Sequence, residues 1–134
     1  MKDSVLSALG EIVGKKNFLT DPVYREAYSY DGTPLLRQLP EAVLFPESPE
    51  QIAKIIELAN HEKFAIVPRG LGTGLSGGSV PVENSVVLVM TKWDRILEID
   101  TENLTAWVEP GVITEKLQNE VEKLGLFYPP DPGS

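Results

Sequence analysis

Cysteine is absent from the chain, and histidine occurs once, as His61. Without cysteine there are no disulfides, no thiolate metal sites and no cysteine nucleophile. A single histidine rules out a paired-histidine metal site and leaves one candidate for the usual general base near neutral pH. Positive charge is also scarce, with 12 Lys and Arg against 20 Asp and Glu, a net charge of -8 and a pI of about 4.6. Such a surface repels phosphate backbones, so nucleic acid is a poor partner. No apolar run approaches the roughly 18–20 residues that span a membrane. Met1-Lys2-Asp3-Ser4 carries an acid early and leads into an amphipathic pattern rather than a signal peptide. A cytoplasmic location fits these absences.

What is present suits one packed domain. Hydrophobic residues make up 42% and charged residues 24%, which predicts a core rather than disorder. Val5, Leu6, Ala8, Leu9, Ile12 and Val13 recur at helical spacing, with Asp3 or Ser4 as cap and Gly14 as stop. Thr20 to Arg37 is polar, with turn signals at Asp21-Pro22 and Asp31-Gly32. Its Tyr24, Tyr28 and Tyr30 are expected to pack against the body of the domain. Ala42 to Pro46 reads as a buried strand. Ser48, Pro49 and Gln51 open a helix that runs through Asn60, and Phe64 to Val67 is the next strand. Strand, helix and strand in this order predict a parallel pair with a helical crossover.

Val86 to Met90 is a third strand. Arg95 to Ile99 and Leu104 to Val108 around Asp100-Thr101-Glu102-Asn103 predict an antiparallel hairpin. Thr114 is expected to cap a last helix carrying Leu117, Val121 and Leu124, with Gly125 as stop. The fold class is therefore α+β, a small parallel β-α-β unit plus a hairpin. Packing is the default for Trp93 and Trp107. Glu115, Glu120 and Glu122 read as a solvated face, and His61 as a surface residue at a helix C-terminus.

Pro68 to Pro81 has a different character, with five glycines and few bulky residues. Glycines at Gly70, Gly72, Gly74, Gly77 and Gly78 let successive N–H groups turn inward into a nest for anionic oxygens. Thr73, Ser76 and Ser79 add hydroxyls and Arg69 adds charge. Gly72-Thr73-Gly74-Leu75-Ser76-Gly77 matches G-x-G-x-x-G, but a strand follows instead of the required helix, so a Rossmann site is excluded. Gly77-Gly78-Ser79 lacks the lysine of an ATP-type loop. Five glycines in nine residues would cost too much backbone entropy for a plain connection.

Taken in order, Ala42 to Ser48, Val67 to Gly78, Ile96 to Asp100, Val108 to Val112 and Tyr128 to Pro132 resemble the vanillyl-alcohol oxidase/p-cresol methylhydroxylase flavoproteins. The branch they look most like holds the D subunit of glycolate oxidase and D-lactate dehydrogenase. The resemblance implies the front part of an FAD-binding domain, with residues 1–40 as a helical and irregular lead-in and 41–134 as the flavin-binding core. It implies that the backbone of Pro68, Arg69, Gly70, Leu71, Gly72, Thr73, Gly74 and Leu75 holds the FAD pyrophosphate, with Ser76, Gly77 and Gly78 lining the turn. Pro110 and Gly111 would lie near the adenine end. Pro130, Asp131, Pro132 and Ser134 would begin a second stretch along the cofactor. Thr73 stands near the place where some members attach flavin through histidine, so FAD is expected to be non-covalent.

Oxidation of a 2-hydroxy acid needs a base and a carboxylate-binding cation. Neither gathers in this sequence, so no catalytic or metal residue is assigned. Ser134 is expected to be a truncation point. The implied partners are FAD, the rest of the polypeptide and iron-sulfur or other electron-transfer subunits. The fragment alone is expected to be inactive and to hold FAD weakly or not at all. The alternative is a free-standing module that binds a nucleotide or a partner without redox chemistry.

Overall fold

A computed structural model of the chain describes residues 1–131. The elements are α1 (Asp3–Val13), a 3-10 turn (Lys15–Asn17), β1 (Phe18–Leu19), α2 (Pro22–Ala27), β2 (Ala42–Leu44), α3 (Pro49–Glu62), β3 (Ala65–Arg69), β4 (Ser85–Val89), β5 (Ile96–Asp100), β6 (Thr105–Val108) and α4 (Thr114–Glu122). The architecture is mixed α+β, as expected. A four-stranded sheet has the order β1-β2-β4-β3, and β5 and β6 form a separate antiparallel hairpin.

β2 and β3 run parallel, but they do not touch. β4 lies between them, parallel to both, with Val43 opposite Val87 and Val67 opposite the same Val87. All five β4 residues are buried, so it forms the centre of the sheet. β1 pairs antiparallel with β2 at the other edge. This two-residue strand and the single-turn-scale α2 are too short for a periodicity to reveal.

One face of the sheet carries Ala42, Leu44, Val86 and Leu88, covered by Val5, Leu9 and Val13 of α1 and Ile55 and Ala59 of α3. The other carries Val43, Val67, Val87 and Val89, packed by Leu19, Tyr28 and Phe45. Tyr28 meets Phe45 edge-on at 6.0 Å. Tyr24 and Tyr30 depart from the expected packing, being about half exposed: Tyr24 sits on α2, which has no buried residue, and Tyr30 lies beyond the end of that helix. Trp93 is half-buried and donates from Nε1 to Pro46 O at 3.0 Å. Trp107 also departs, at 70% exposed, because it projects from the side of the hairpin away from α4.

The helix ends show how local chemistry is applied. α1 starts one residue early, with Lys2 as N-cap and no side-chain cap. Neither Asp3 nor Ser4 caps it. The terminal ammonium is instead pinned to Glu41 at 3.2 Å, which brings the chain into the helix from its first residue. At α3, Ser48 Oγ accepts from the Gln51 amide at 3.2 Å, and Gln51 Oε1 accepts from the Glu47 amide at 2.7 Å. The return bond thus falls one residue before the cap. α3 runs two residues past Asn60, to Glu62, and ends at Lys63, whose left-handed φ of 59° is held by Asn84 donating to the Lys63 carbonyl.

Leu9 is fully buried between α1 and the sheet. Leu9→Ala is expected to cost about 2–5 kcal/mol, read as a lower denaturation midpoint at unchanged slope in urea.

Candidate functional site: an anion cleft at the carboxyl ends of the strands

β3 ends at Arg69, and the glycine-rich segment leaves the sheet there, at the carboxyl end of the parallel strands. Ligands of open α/β sheets gather at this end. The segment is exposed for most of its length. Leu71 and Leu75 point outward at 63% and 64% exposed. Among the described residues, no protein group takes up the amides of Gly70 to Ser76. That leaves a run of free donors in a loop with positive φ at Gly72 and Gly77.

Across from the loop stands the turn Pro110-Gly111. The Gly111 amide donates to Trp93 O at 2.6 Å, and a Cβ at this position would run into the carbonyls of Met90 and Trp93. Only glycine lets the turn close on the end of β4. The turn leads straight into α4. The N-cap is Ile113, which has no side-chain cap bond. Thr114 is the first helical residue rather than the cap. The orphan donors of the first turn therefore remain open. Loop, turn and helix start enclose a cleft of about 270 Å³, lined by Gly70, Leu71, Thr73, Thr91, Pro110, Gly111, Val112, Ile113 and Thr114. Drug-sized pockets run to about 300–1,000 Å³, so this cleft has room for one section of a dinucleotide.

The donor set suits a diphosphate. It combines uncharged backbone N–H groups with the positive end of a helix dipole. Arg69 stands differently from the other loop residues. Its side chain is turned inward, 7% exposed, and Nη1 donates to Tyr30 O at 2.6 Å. Two of the three segments singled out in the sequence thus meet, with Gly70, Leu71 and Thr73 facing Pro110 and Gly111. The third lies elsewhere. Gln118 Nε2 reaches Tyr128 O and Pro130 O at 3.5 Å each, which lays Pro130 and Asp131 along α4, outside the lining of the cleft. Pro132 and Ser134 fall outside the described residues. Thr91 and the uncapped start of α4 are additions. The uncapped start was hidden because Thr114 looks like a cap in sequence.

Three larger clefts of about 520, 480 and 470 Å³ border the hairpin, and none is lined by the glycine loop. His61 stands in the last turn of α3, before the start of β3 and so at the far end of the sheet from the loop. It bonds Glu62 Oε1 at 2.9 Å. Arg95 is committed to Glu109, with contacts of 2.7 and 3.0 Å, and this pairing holds the Glu109 carboxyl below its ordinary range. No group of three or more His, Cys, Asp or Glu capable of holding a metal occurs among the described residues, and no described helix is long and apolar enough to cross a membrane.

The fold and this cleft define a flavin-binding module. The chain belongs to the FAD binding domain family, whose model matches residues 40–134, and its cofactor is FAD. Among curated relatives, the glycolate oxidase subunit GlcD of Bacillus subtilis is 45% identical over 97% of this chain, and the D-lactate dehydrogenase of Anaerostipes hadrus is 35% identical over 92%. The chain spans 28% and 26% of their lengths. Among solved structures, p-cresol methylhydroxylase superposes with a TM-score of 0.80 at 23% identity, over 92% of this chain and 25% of that one, a likeness of fold.

Buried Asp31 provides a pH test of the loop's support. Its carboxyl lies below its ordinary value of 3.8, chiefly because the Thr33 amide donates to it. A depressed carboxyl adds stability that is complete above the ordinary value and is lost as pH falls below it. Asp31→Asn is therefore expected to flatten the fall in stability below about pH 4, measured by denaturant midpoints across pH.

Proposed function

We propose that this chain forms the front of the flavin domain of an oxidoreductase that converts a 2-hydroxy acid, of glycolate or D-lactate type, to the 2-oxo acid. The observation that carries the reading is the meeting of the free amides of Gly70 to Thr73 with Pro110-Gly111 and the uncapped start of α4 around one cleft. The identity to GlcD and D-lactate dehydrogenase supports the substrate class. Residues 1–134 act as one partial domain in this reading.

FAD supplies the two-electron acceptor of such an oxidation when bound. The chain's own part is binding and orientation. The backbone of Pro68 to Gly78 cradles the diphosphate, the N-terminus of α4 offsets its charge, and Pro110 and Gly111 close the cleft toward the adenine end. Pro130 and Asp131, and with them Pro132 and Ser134 outside the described residues, are assigned to a second stretch along the cofactor. The attachment is non-covalent, since Thr73 offers neither a ring nitrogen nor a thiolate and His61 stands at the opposite end of the sheet. The base and the carboxylate-binding cation come from the remainder of the polypeptide, so the fragment alone turns over no substrate. The exposed Trp107, Leu97 and Leu104 of the hairpin give that remainder an apolar surface to cover. Electron-transfer subunits receive the electrons, and the protein works in the cytoplasm.

Gly74 allows a sharp test, because a Cβ there meets only Asp31 Oδ2, at an ordinary 3.7 Å. In the full-length protein, Gly74→Ala is expected to keep its flavin. Gly74→Asp, which directs a second carboxylate at Asp31 Oδ2 behind the loop, is expected to push the loop out of shape and weaken FAD binding about 100-fold or more, from a charge repulsion of about 3 kcal/mol. Flavin absorbance after gel filtration and FAD titration check this. Equal flavin content in both variants would remove the loop from the cofactor site. Acid precipitation is expected to release all flavin into the supernatant.

A further inference from the structure

We propose that the side chains of Arg69 and Asp31 form a charge-compensated strut that sets the conformation of the cofactor loop from its inner side, with the Arg69 guanidinium a positioning group and no phosphate ligand. The proposal rests on the flavin reading above.

Residues Tyr30 to Thr33 support the loop at three points. At its start, the Arg69 guanidinium donates to Tyr30 O at 2.6 Å, lies 5.4 Å from the Tyr28 ring centroid, and packs so closely under Gly72 that any Cβ there would collide with it. In the middle, a methyl on Gly32 would meet Gly74 O at 2.9 Å. Toward the end, the Gly77 amide donates to Thr33 Oγ1 at 2.7 Å. All four supporting residues precede the stretch matched by the family model, which begins at residue 40. Preorganisation of the cofactor site thus comes from the segment that looks least ordered in sequence.

The charges matter as much as the shape. Asp31 is 7% exposed. Its Oδ1 accepts from the Thr33 amide at 2.8 Å, and its Oδ2 is buried without a partner among the described residues. That free oxygen faces Gly74 from behind the loop. A carboxylate there opposes a diphosphate in front, in a setting where water screens poorly. The Thr33 and Ser79 hydrogen bonds do most to hold the Asp31 carboxyl ionised, and the buried Arg69 cation adds a smaller Coulombic effect in the same sense that offsets part of its charge. The loop can then present its N–H dipoles without a net field of the wrong sign. A cation turned inward, with Nη1 on Tyr30 O and its plane shut under Gly72, is kept from reaching a ligand directly. Its contribution is to cancel charge and hold shape.

The test compares Asp31→Asn, Arg69→Gln and the double variant in the full-length protein, by titration of the apoprotein with FAD. Arg69→Gln leaves the carboxylate unopposed and is expected to weaken FAD binding about 30-fold. Adding Asp31→Asn to it should recover about tenfold of that loss, because the opposing charge goes too. Asp31→Asn alone keeps the bond to Thr33 and is expected to tighten FAD binding about threefold. A mere loss of structure would produce neither the recovery nor the tightening. A double variant no better than Arg69→Gln overturns the proposal, and so does Asp31→Asn binding FAD no tighter than the unaltered protein. The second comparison decides even if Arg69→Gln fails to fold. If the unaltered protein takes up no FAD, the flavin reading falls instead. The strut is then judged by hydrogen exchange of the Gly77 amide, the one held by Thr33 Oγ1, which must quicken in Arg69→Gln for it to stand.

Discussion

Everything in the fold is hung on the pairing of β4 to a parallel neighbour on each side. Its five residues are buried, with Val86 and Leu88 facing α1 and α3 and Val87 and Val89 facing the Tyr28 and Phe45 side. A strand buried on both faces must have both of its backbone edges satisfied, and β2 and β3 do this. The same pairing aligns three carboxyl-terminal strand ends at one rim. The glycine loop leaves from β3 at that rim, and the segment after β4 brings Thr91 and, further on, the Pro110-Gly111 turn to meet it. Removing β4 from the centre would leave the two halves of the cleft without a common frame.

Much of this was legible in the sequence, and the exceptions share a cause. The apolar runs of β2, β3 and β4, the heavy periodicity of α1 and α3, and the hairpin around Asp100-Asn103 all declare themselves locally. Strand order does not. Val86 to Val89 differs little in composition from Ala42 to Leu44, and nothing local says that it slots between two strands that precede it. Likewise β1 has two residues and no pattern. Tyr24, Tyr30 and Trp107 were expected inside because aromatic area favours burial, yet a residue's own identity carries no information about whether a neighbour is there to cover it.

The cleft shows the same division. Gly70 to Thr73 and Pro110-Gly111 could be singled out because glycine where bulk is expected signals a close approach. That they face one another is a tertiary fact. The donors at the start of α4 were concealed by the likeness of Thr114 to a cap, and the inward turn of Arg69 by the habit of reading an arginine beside a phosphate loop as a ligand. Asp31-Gly32 looked like a turn signal only. Its second role, under the loop, depends on forty residues of intervening chain folding back.

β3 carries one more consequence. It is the outer strand of the sheet, and its Ala65 amide and Arg69 carbonyl both engage the β4 side, so the alternating Pro68 faces outward. The open border therefore lacks a donor one residue before the strand ends, on the way to the loop. A second chain seeking to continue the ladder would find a gap in the row of N–H groups, and a ring standing where it must approach. The sheet that displays the cofactor loop thus carries, along β3, a local obstacle to edge-to-edge pairing.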